Sequence, residues 1–349
     1  MSVEARPIAV TMGEPAGIGG EITLKAWRMR EVSGLPPYFV VDDAARLQRI
    51  ATQLEWDIPV AEIEKPEDAI DKFGNALPVI PLEVPPAVVP GCPRPETSAA
   101  VVSSIERAVE YVKGGQAAAI VTNPIQKKAL YDCGFRYPGH TEFLATFADG
   151  DAQPVMMLAC EQLRVVPVTV HQPLRKAIDS LRSESIVETV RATVRALRQD
   201  FAIDRPHVMI AALNPHAGEE GAMGREEIDI IAPAVEELKQ AGYFVTGPTP
   251  ADTLFHDRAR TAYDAAVCMY HDQALIPLKT IDFSTGVNIT LGLPFVRTSP
   301  DHGTALEIAG TGVADESSLV AALKIAARMA GNRTRSRLIS DDCVSRRLN

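Results

Sequence analysis

Short apolar runs alternate with amphipathic helical segments along most of this chain, which restricts it to few architectures. Ile8 to Met12 reads as a buried strand, followed by a glycine turn and a helix near Gly20 to Arg30. Tyr38 to Val41 is the next strand, with a helix over Asp43 to Leu54. Ser98 to Gly114 places Val101, Val102, Ile105, Val109 and Val112 on one helical face, ahead of a strand over Ala117 to Val121. Ser183 to Phe201 is a helix, His207 to Leu213 a strand, and Ser317 to Ala330 the last strong helix. Glu226 to Gly242 carries acidic residues in its first turn and glycine at its end, as a helix should. Such alternation predicts an α/β fold, a mainly parallel sheet with helices on both faces.

The length of 349 residues suits about two domains, at roughly 150 residues each. With 35 basic and 45 acidic residues the net charge is −10, which disfavours nucleic acid and anionic membranes as partners. Cysteines 92, 133, 160, 268 and 343 are scattered, odd in number and free of any CxxC spacing. They read as free thiols in a reducing compartment. The apolar start is of strand length, and no uncharged run is long enough to span a bilayer, so a cytoplasmic protein is expected. Prolines 81, 85, 86, 90, 93 and 95 predict an extended surface excursion. The tail from Asn332 to Asn349 is basic and Ser/Arg-rich, and reads as a last helical turn followed by a loose terminus.

Three histidine segments carry the first chemical signal: Thr169 to Pro173, Leu213 to Gly218 and Met269 to Gln273. Each places its histidine, His171, His216 or His271, just after a strand-like run, where α/β proteins present their chemistry. Three neutral imidazoles converging from separate strands make an open divalent-metal site with a fourth position for substrate or water. Any one of them alone reads equally as a loop residue bonded to nearby backbone. The repeated context favours the metal, although intervals of 45 and 55 residues match no local metal motif.

Other segments are less decided. The turn Met12 to Gly20 brings backbone amides and a helix N-terminus toward an anion, or is a tight turn with no ligand. Its glycine spacing is neither a dinucleotide fingerprint nor a phosphate loop. Pro138 to Glu142 starts a helix whose N-cap is His140 or Thr141, and the same groups can hydrogen-bond a substrate. Lys279, Asn288 and Arg297 follow His271 within an apolar stretch, as snorkelling surface residues or as anion binders. In an acidic chain the second use gains weight.

These segments together resemble the 4-hydroxythreonine-4-phosphate dehydrogenase family of pyridoxal 5′-phosphate biosynthesis. The resemblance is carried by Gly13 to Gly19, Pro138 to Glu142, Asn214 to Gly218, Gly247 to Phe255, Tyr270 to Gln273 and Gly286 to Thr298. With the loop at 301–312 it runs in order over about residues 7–331. The chain departs from the family pattern at Val121 to Pro124, where Thr-Gly-Pro is common, and at Val170 to Pro173, where Thr-His-Leu-Pro is common.

The resemblance implies a two-lobed α/β/α, isocitrate/isopropylmalate-dehydrogenase-like fold in an obligate homodimer with shared active sites. A cofactor-side lobe would take 1–135 and 275–349, and a metal, substrate and dimerisation lobe 136–274. It implies His171, His216 and His271 as ligands of one divalent metal, Zn, Co or Mg. Substrate binding falls to His140, Thr141, Lys279, Asn288 and Arg297. His302 to Gly310 resembles the adenosine-binding loop of the wider dehydrogenase superfamily, with Thr304, Leu306 and Glu307 where that loop has Ser, Pro and Asp. His302, Gly303, Thr304, Glu307 and Ile308 would then bind the cofactor. A carboxylate at Glu307 accepts bonds from ribose hydroxyls and repels a 2′-phosphate, favouring NAD over NADP.

The implied reaction oxidises 4-phosphohydroxy-L-threonine to 2-amino-3-oxo-4-(phosphooxy)butanoate, which decarboxylates to 3-amino-2-oxopropyl phosphate. Asp272 and Lys279 are the candidates for the base, and Lys279 and Arg297 suit the phosphate by charge. The nearest rival is a sister dehydrogenase for a 4-phosphorylated sugar acid, threonate or erythronate, or for an aromatic dihydrodiol. A phosphate-acetyltransferase-like acyltransferase needs neither the three histidines nor the 302–310 loop. A three-histidine zinc hydrolase leaves that loop without a purpose.

Overall fold

The computed structural model describes residues 6–85, 88–132, 134–137, 139–148 and 153–345. Pro86, Cys133, Pro138 and the last four residues of the tail lie outside the described residues. The first strands are β1 (Ile8–Thr11), β2 (Tyr38–Asp42), β3 (Val60–Glu62), β4 (Leu77–Pro81), β5 (Ile120–Val121) and β6 (Val155–Ala159). They are followed by β7 (Arg164–Thr169), β8 (Val208–Ala211), β9 (Val245–Thr249), β10 (Ala265–Tyr270), β11 (Val287–Leu291) and β12 (Arg297–Pro300). The chain divides into two compact units, Met1–Pro154 with Leu293–Ala330, and Val155–Gly292 with Gly331–Asn349.

In the first unit the strand order is β3-β4-β2-β1-β5-β12, with every neighbouring pair parallel. β1 and β2 are buried at every position, which is why they read as continuous apolar runs rather than alternating ones. Helix Ala44–Gln53 starts where the Asp43 carboxylate accepts the Arg46 N–H at 2.8 Å. Helix Ser98–Lys113 buries Val101, Ile105 and Val109 against Phe39, Val41 and Ile80. Its Ser104 hydroxyl accepts Met12 N–H at 2.9 Å and donates to the Val41 carbonyl at 2.7 Å. Those two bonds fasten the ends of β1 and β2 to one helix.

The second unit has the order β11-β6-β7-β10-β8-β9. Here β10 pairs in parallel with β7 and β8, while β6 is antiparallel to both β7 and β11. The pairing is mainly parallel as expected, and the antiparallel strands arise where β6 and β7 form a hairpin, with Cys160 N–H bonded to the Leu163 carbonyl at 2.9 Å. The unit boundaries near 154 and 292 come later than the 135 and 274 drawn from sequence. Helix His140–Ala145 packs Phe143 and Leu144 into the first unit's core, and β11 pairs with β6 in the second.

The tail is a correction to the sequence reading. Helix Ser317–Ser345 continues well beyond Ala330 instead of ending after one more turn. The Arg333 guanidinium pairs with the buried Asp200 carboxylate at 2.5 Å, and Asn332 donates to the Asp200 carbonyl at 2.8 Å. Those bonds fasten the first residues of the polar segment to Asp200.

Candidate active site

Three adjacent parallel strands of the second unit, β7, β10 and β8, end along the same edge. Side chains cross-link those ends. The Thr169 hydroxyl donates to the Met269 carbonyl at 2.8 Å. Buried Gln273 accepts Met269 N–H at 2.7 Å and donates to the Ala212 carbonyl at 2.6 Å. His171 follows β7, His271 begins the helix after β10, and His216 lies beyond β8.

The His171 and His271 rings stand 5.6 Å apart, centre to centre. With about 2.1 Å per metal–nitrogen bond, two imidazoles sharing one tetrahedral ion have centres about 5 Å apart, so this pair fits. Both line a cavity of about 390 Å³ with Thr169, Gln172, Tyr270 and Asp272. The Asp272 carboxylate lies 2.7 Å from His271 Nδ1, an arrangement that leaves Nε2 for an ion. Asp272 therefore orients a ring, although its side chain is 69% exposed. Lys279, on the same helix, holds its Nζ 5.5 Å from the Phe283 ring centre. Asn288, on β11, has a buried Oδ1 that accepts no hydrogen bond.

His216 does not join them. It is exposed and lines no part of that cavity, and among the described residues no three His, Cys, Asp or Glu side chains are grouped to hold a metal ion. Two of the three expected ligands, His171 and His271, are brought together among the described residues, and His216 is not. His216 instead opens a left-handed turn, with φ of 52° at His216, 54° at Ala217, 42° at Glu219 and 56° at Glu220. Each non-glycine residue held so costs roughly 1–2 kcal/mol. Strain of this kind persists only where neighbours over-determine it.

The first unit supplies a cluster of basic side chains. Arg297 opens β12 and is 3% exposed, so it does not snorkel to the surface. Its Nη2 and Nε donate to the Thr122 hydroxyl at 2.7 and 3.1 Å. Burial pushes its pKa down to about 10, with the Glu142 charge acting the other way, and it stays cationic at neutral pH. His140 and Thr141 are the first helical residues and not the cap, which is Gly139. That corrects the expected capping role and leaves the two side chains for other use. His140 Nε2 is buried without a hydrogen bond. Sequence reasoning missed Lys127, whose Nζ comes within 3.6 Å of where a Gly139 Cβ would stand. Its position just past the Val121 to Pro124 departure was the available signal.

Burial, then the charges of Arg297 and Lys127, hold His140 well below its usual pKa. An unfolded chain takes up this proton near pH 6.5 and the folded one does not, so stability is full above about 6.5 and falls as pH drops below it. In the phosphate-free protein the His140 ring resonances are expected to show no titration between pH 6 and 8. A midpoint near 6.5 by NMR would contradict this environment.

The glycine turn after β1 meets the 302–310 loop within the same unit. Ile18 N–H donates to the Thr304 carbonyl at 3.1 Å, and a Cβ on Gly17 would come within 2.9 Å of that oxygen. Gly13, at φ +72°, packs so tightly on Asn123 that a Cβ would approach 2.7 Å. The turn is thus a packing device that seats the loop. Glu21, also missed from sequence, accepts Gly312 N–H at 2.9 Å and Gly310 N–H at 2.5 Å. In the loop, Glu307 is exposed, Ala305 is left-handed, Leu306–Ile308 forms a short turn, and His302 Nδ1 lies 3.0 Å from the Gly303 carbonyl.

The model of the family described as "Pyridoxal phosphate biosynthetic protein PdxA" matches residues 35–326. The chain belongs to the PdxA family. It is 51% identical over 336 residues to the 4-hydroxythreonine-4-phosphate dehydrogenase of Methylorubrum populi, covering 95% of this chain and 96% of that one. The Bradyrhizobium diazoefficiens enzyme of the same name is 50% identical over 341 residues, covering 95% and 99%. A crystal structure of 4-hydroxythreonine-4-phosphate dehydrogenase from Klebsiella pneumoniae superposes with a TM-score of 0.84 at 40% identity, covering 93% and 99%. The α/β class expected from the alternating pattern holds. This PdxA-family chain is an oxidoreductase by kinship, and among its described residues no helix is long and apolar enough to cross a membrane.

Proposed function

We propose that this chain oxidises 4-phosphohydroxy-L-threonine with NAD to 2-amino-3-oxo-4-(phosphooxy)butanoate, which decarboxylates to 3-amino-2-oxopropyl phosphate. The observation that carries the substrate reading is buried Arg297, kept cationic beside His140 and Lys127. A permanent charge with little water around it is an anchor for a phosphate. Thr141 adds a hydroxyl at the same helix start. Asn288 and Lys279 are assigned to the amine and carboxylate end, the buried Asn288 Oδ1 being a ready acceptor. Asp272 and Lys279 are the candidates for the group that takes the hydroxyl proton, and Asp272 also orients His271.

His171 and His271 are assigned to one divalent cation of the Zn, Co or Mg class, with His216 as the third ligand. Such an ion lowers the pKa of a substrate hydroxyl when bound. The separation of His216 from the His171 and His271 rings supports a homodimer with shared sites. So do Leu174, Ile178, Ile276 and Phe283, large apolar side chains left exposed on the second unit. NAD is assigned to His302, Gly303, Thr304, Glu307 and Ile308, with NADP disfavoured by the Glu307 carboxylate.

The test is NADH formation from 4-phosphohydroxy-L-threonine beside threonate and erythronate 4-phosphates, each with NAD and with NADP. The expected result is a kcat/KM at least about a hundredfold higher for the amino acid with NAD, as a polar pocket distinguishes polar groups. Equal or greater turnover of a sugar-acid phosphate would move the assignment to the sister dehydrogenases.

A further inference from the structure

We propose that Glu227 positions His216 as a metal ligand by clamping the entrance of the left-handed turn that carries it. The proposal rests on the reading of His171, His216 and His271 as ligands of one divalent cation.

Glu227 is 4% exposed and begins a single π-helical turn, Glu227–Ile231, ahead of helix Ala232–Gln240. Sequence accounts for an acid there by the helix dipole alone. Its carboxylate has another engagement. Oε1 accepts Leu213 N–H at 2.8 Å and Asn214 N–H at 2.7 Å, and Oε2 accepts the Asn214 side-chain amide at 2.9 Å. Leu213 and Asn214 are the residues from which the chain enters Pro215 and His216. The far side of the turn is closed by Met223 N–H on the Gly218 carbonyl at 3.1 Å and Ala222 N–H on the Glu219 carbonyl at 3.0 Å.

Room for the carboxylate is built in, because a Cβ at Gly218 would come within 2.7 Å of Oε2. Burial works against the charge, yet the Asn214 and Leu213 donors hold the carboxyl below its ordinary pKa, so it is ionised at neutral pH. Several donors on one buried carboxylate make it a rigid post. A run of strained residues needs such a post, since without it the turn relaxes and carries the imidazole elsewhere. Second-layer partners of this type set ligand orientation and affinity.

The experiment titrates Co²⁺ into the metal-stripped, full-length wild type, Glu227→Ala, Glu227→Gln and His216→Ala, reading visible absorption and bound metal after gel filtration. Glu227→Ala is expected to weaken Co²⁺ binding about 10- to 100-fold and to shift its spectrum toward that of His216→Ala. Glu227→Gln keeps an acceptor for the two backbone N–H groups but turns an amide onto Asn214, so it should fall between wild type and Glu227→Ala. Wild-type affinity and spectrum in Glu227→Ala, with binding lost in His216→Ala, would overturn the positioning role and leave the ligand assignment standing. Wild-type binding in His216→Ala would overturn both. Should Glu227→Ala fail to fold, Glu227→Gln decides, and an unchanged affinity and spectrum there would overturn the proposal.

Discussion

His171→Ala and His271→Ala are each expected to lose tight divalent-cation binding, and kcat/KM should fall on the order of a thousandfold. The reason is that the two rings already stand at a spacing fit to share an ion, beside a cavity of about 390 Å³. Neither ring belongs to the apolar core, so the melting temperature should move little, equivalent to about 1 kcal/mol or less. Metal analysis of the purified variants and steady-state kinetics with added Zn²⁺ or Co²⁺ make the comparison. Full metal occupancy in both variants, with activity intact, would remove the pair from the site.

Arg297→Ala should be nearly as damaging, but through KM. A buried guanidinium that binds a phosphate contributes about 3–4 kcal/mol when its loss leaves the anion without a partner, roughly a 10²- to 10³-fold rise in KM. The same change strips Thr122 of two donors in a buried setting, so stability should drop by about 1–3 kcal/mol. Arg297→Lys is expected to recover little of either, since one ammonium does not reproduce the planar pair of N–H bonds. Inorganic phosphate, used as a competitive inhibitor, separates the two effects. If its inhibition constant is unchanged in folded Arg297→Ala, Arg297 does not hold the phosphate.

Much of the second unit's candidate site could be read from residue order as an expectation. Strand-length apolar runs end at His171 and His271, and the parallel pairing of β7, β10 and β8 turns three distant segments into neighbours. Gln273 was legible as part of the Tyr270 to Gln273 segment but not as the strap between strand ends. Lys127, Glu21 and Glu227 carried no such pattern. Each is an ordinary charged residue whose meaning lies in a partner far along the chain: Arg297 and His140 near Lys127, Gly310 and Gly312 on Glu21, and Leu213 and Asn214 on Glu227.

What the sequence determined by itself is therefore the part governed by local periodicity and residue type: the α/β class, the positions of the strand ends, and the histidines placed there. Apolar period and turn chemistry act over a few residues, and they are written in consecutive letters. The tertiary structure alone decided that β6 and β11 run antiparallel, that the start of the tail is fastened to Asp200, and that Gly139 and not His140 caps its helix. It also decided that His216 stands on a strained left-handed turn apart from the other two rings. Apart from the Gly139 cap and the β6–β7 hairpin, these outcomes depend on hydrogen bonds and burial among residues far apart in the chain, where the energy of a contact is set by geometry that no local pattern encodes.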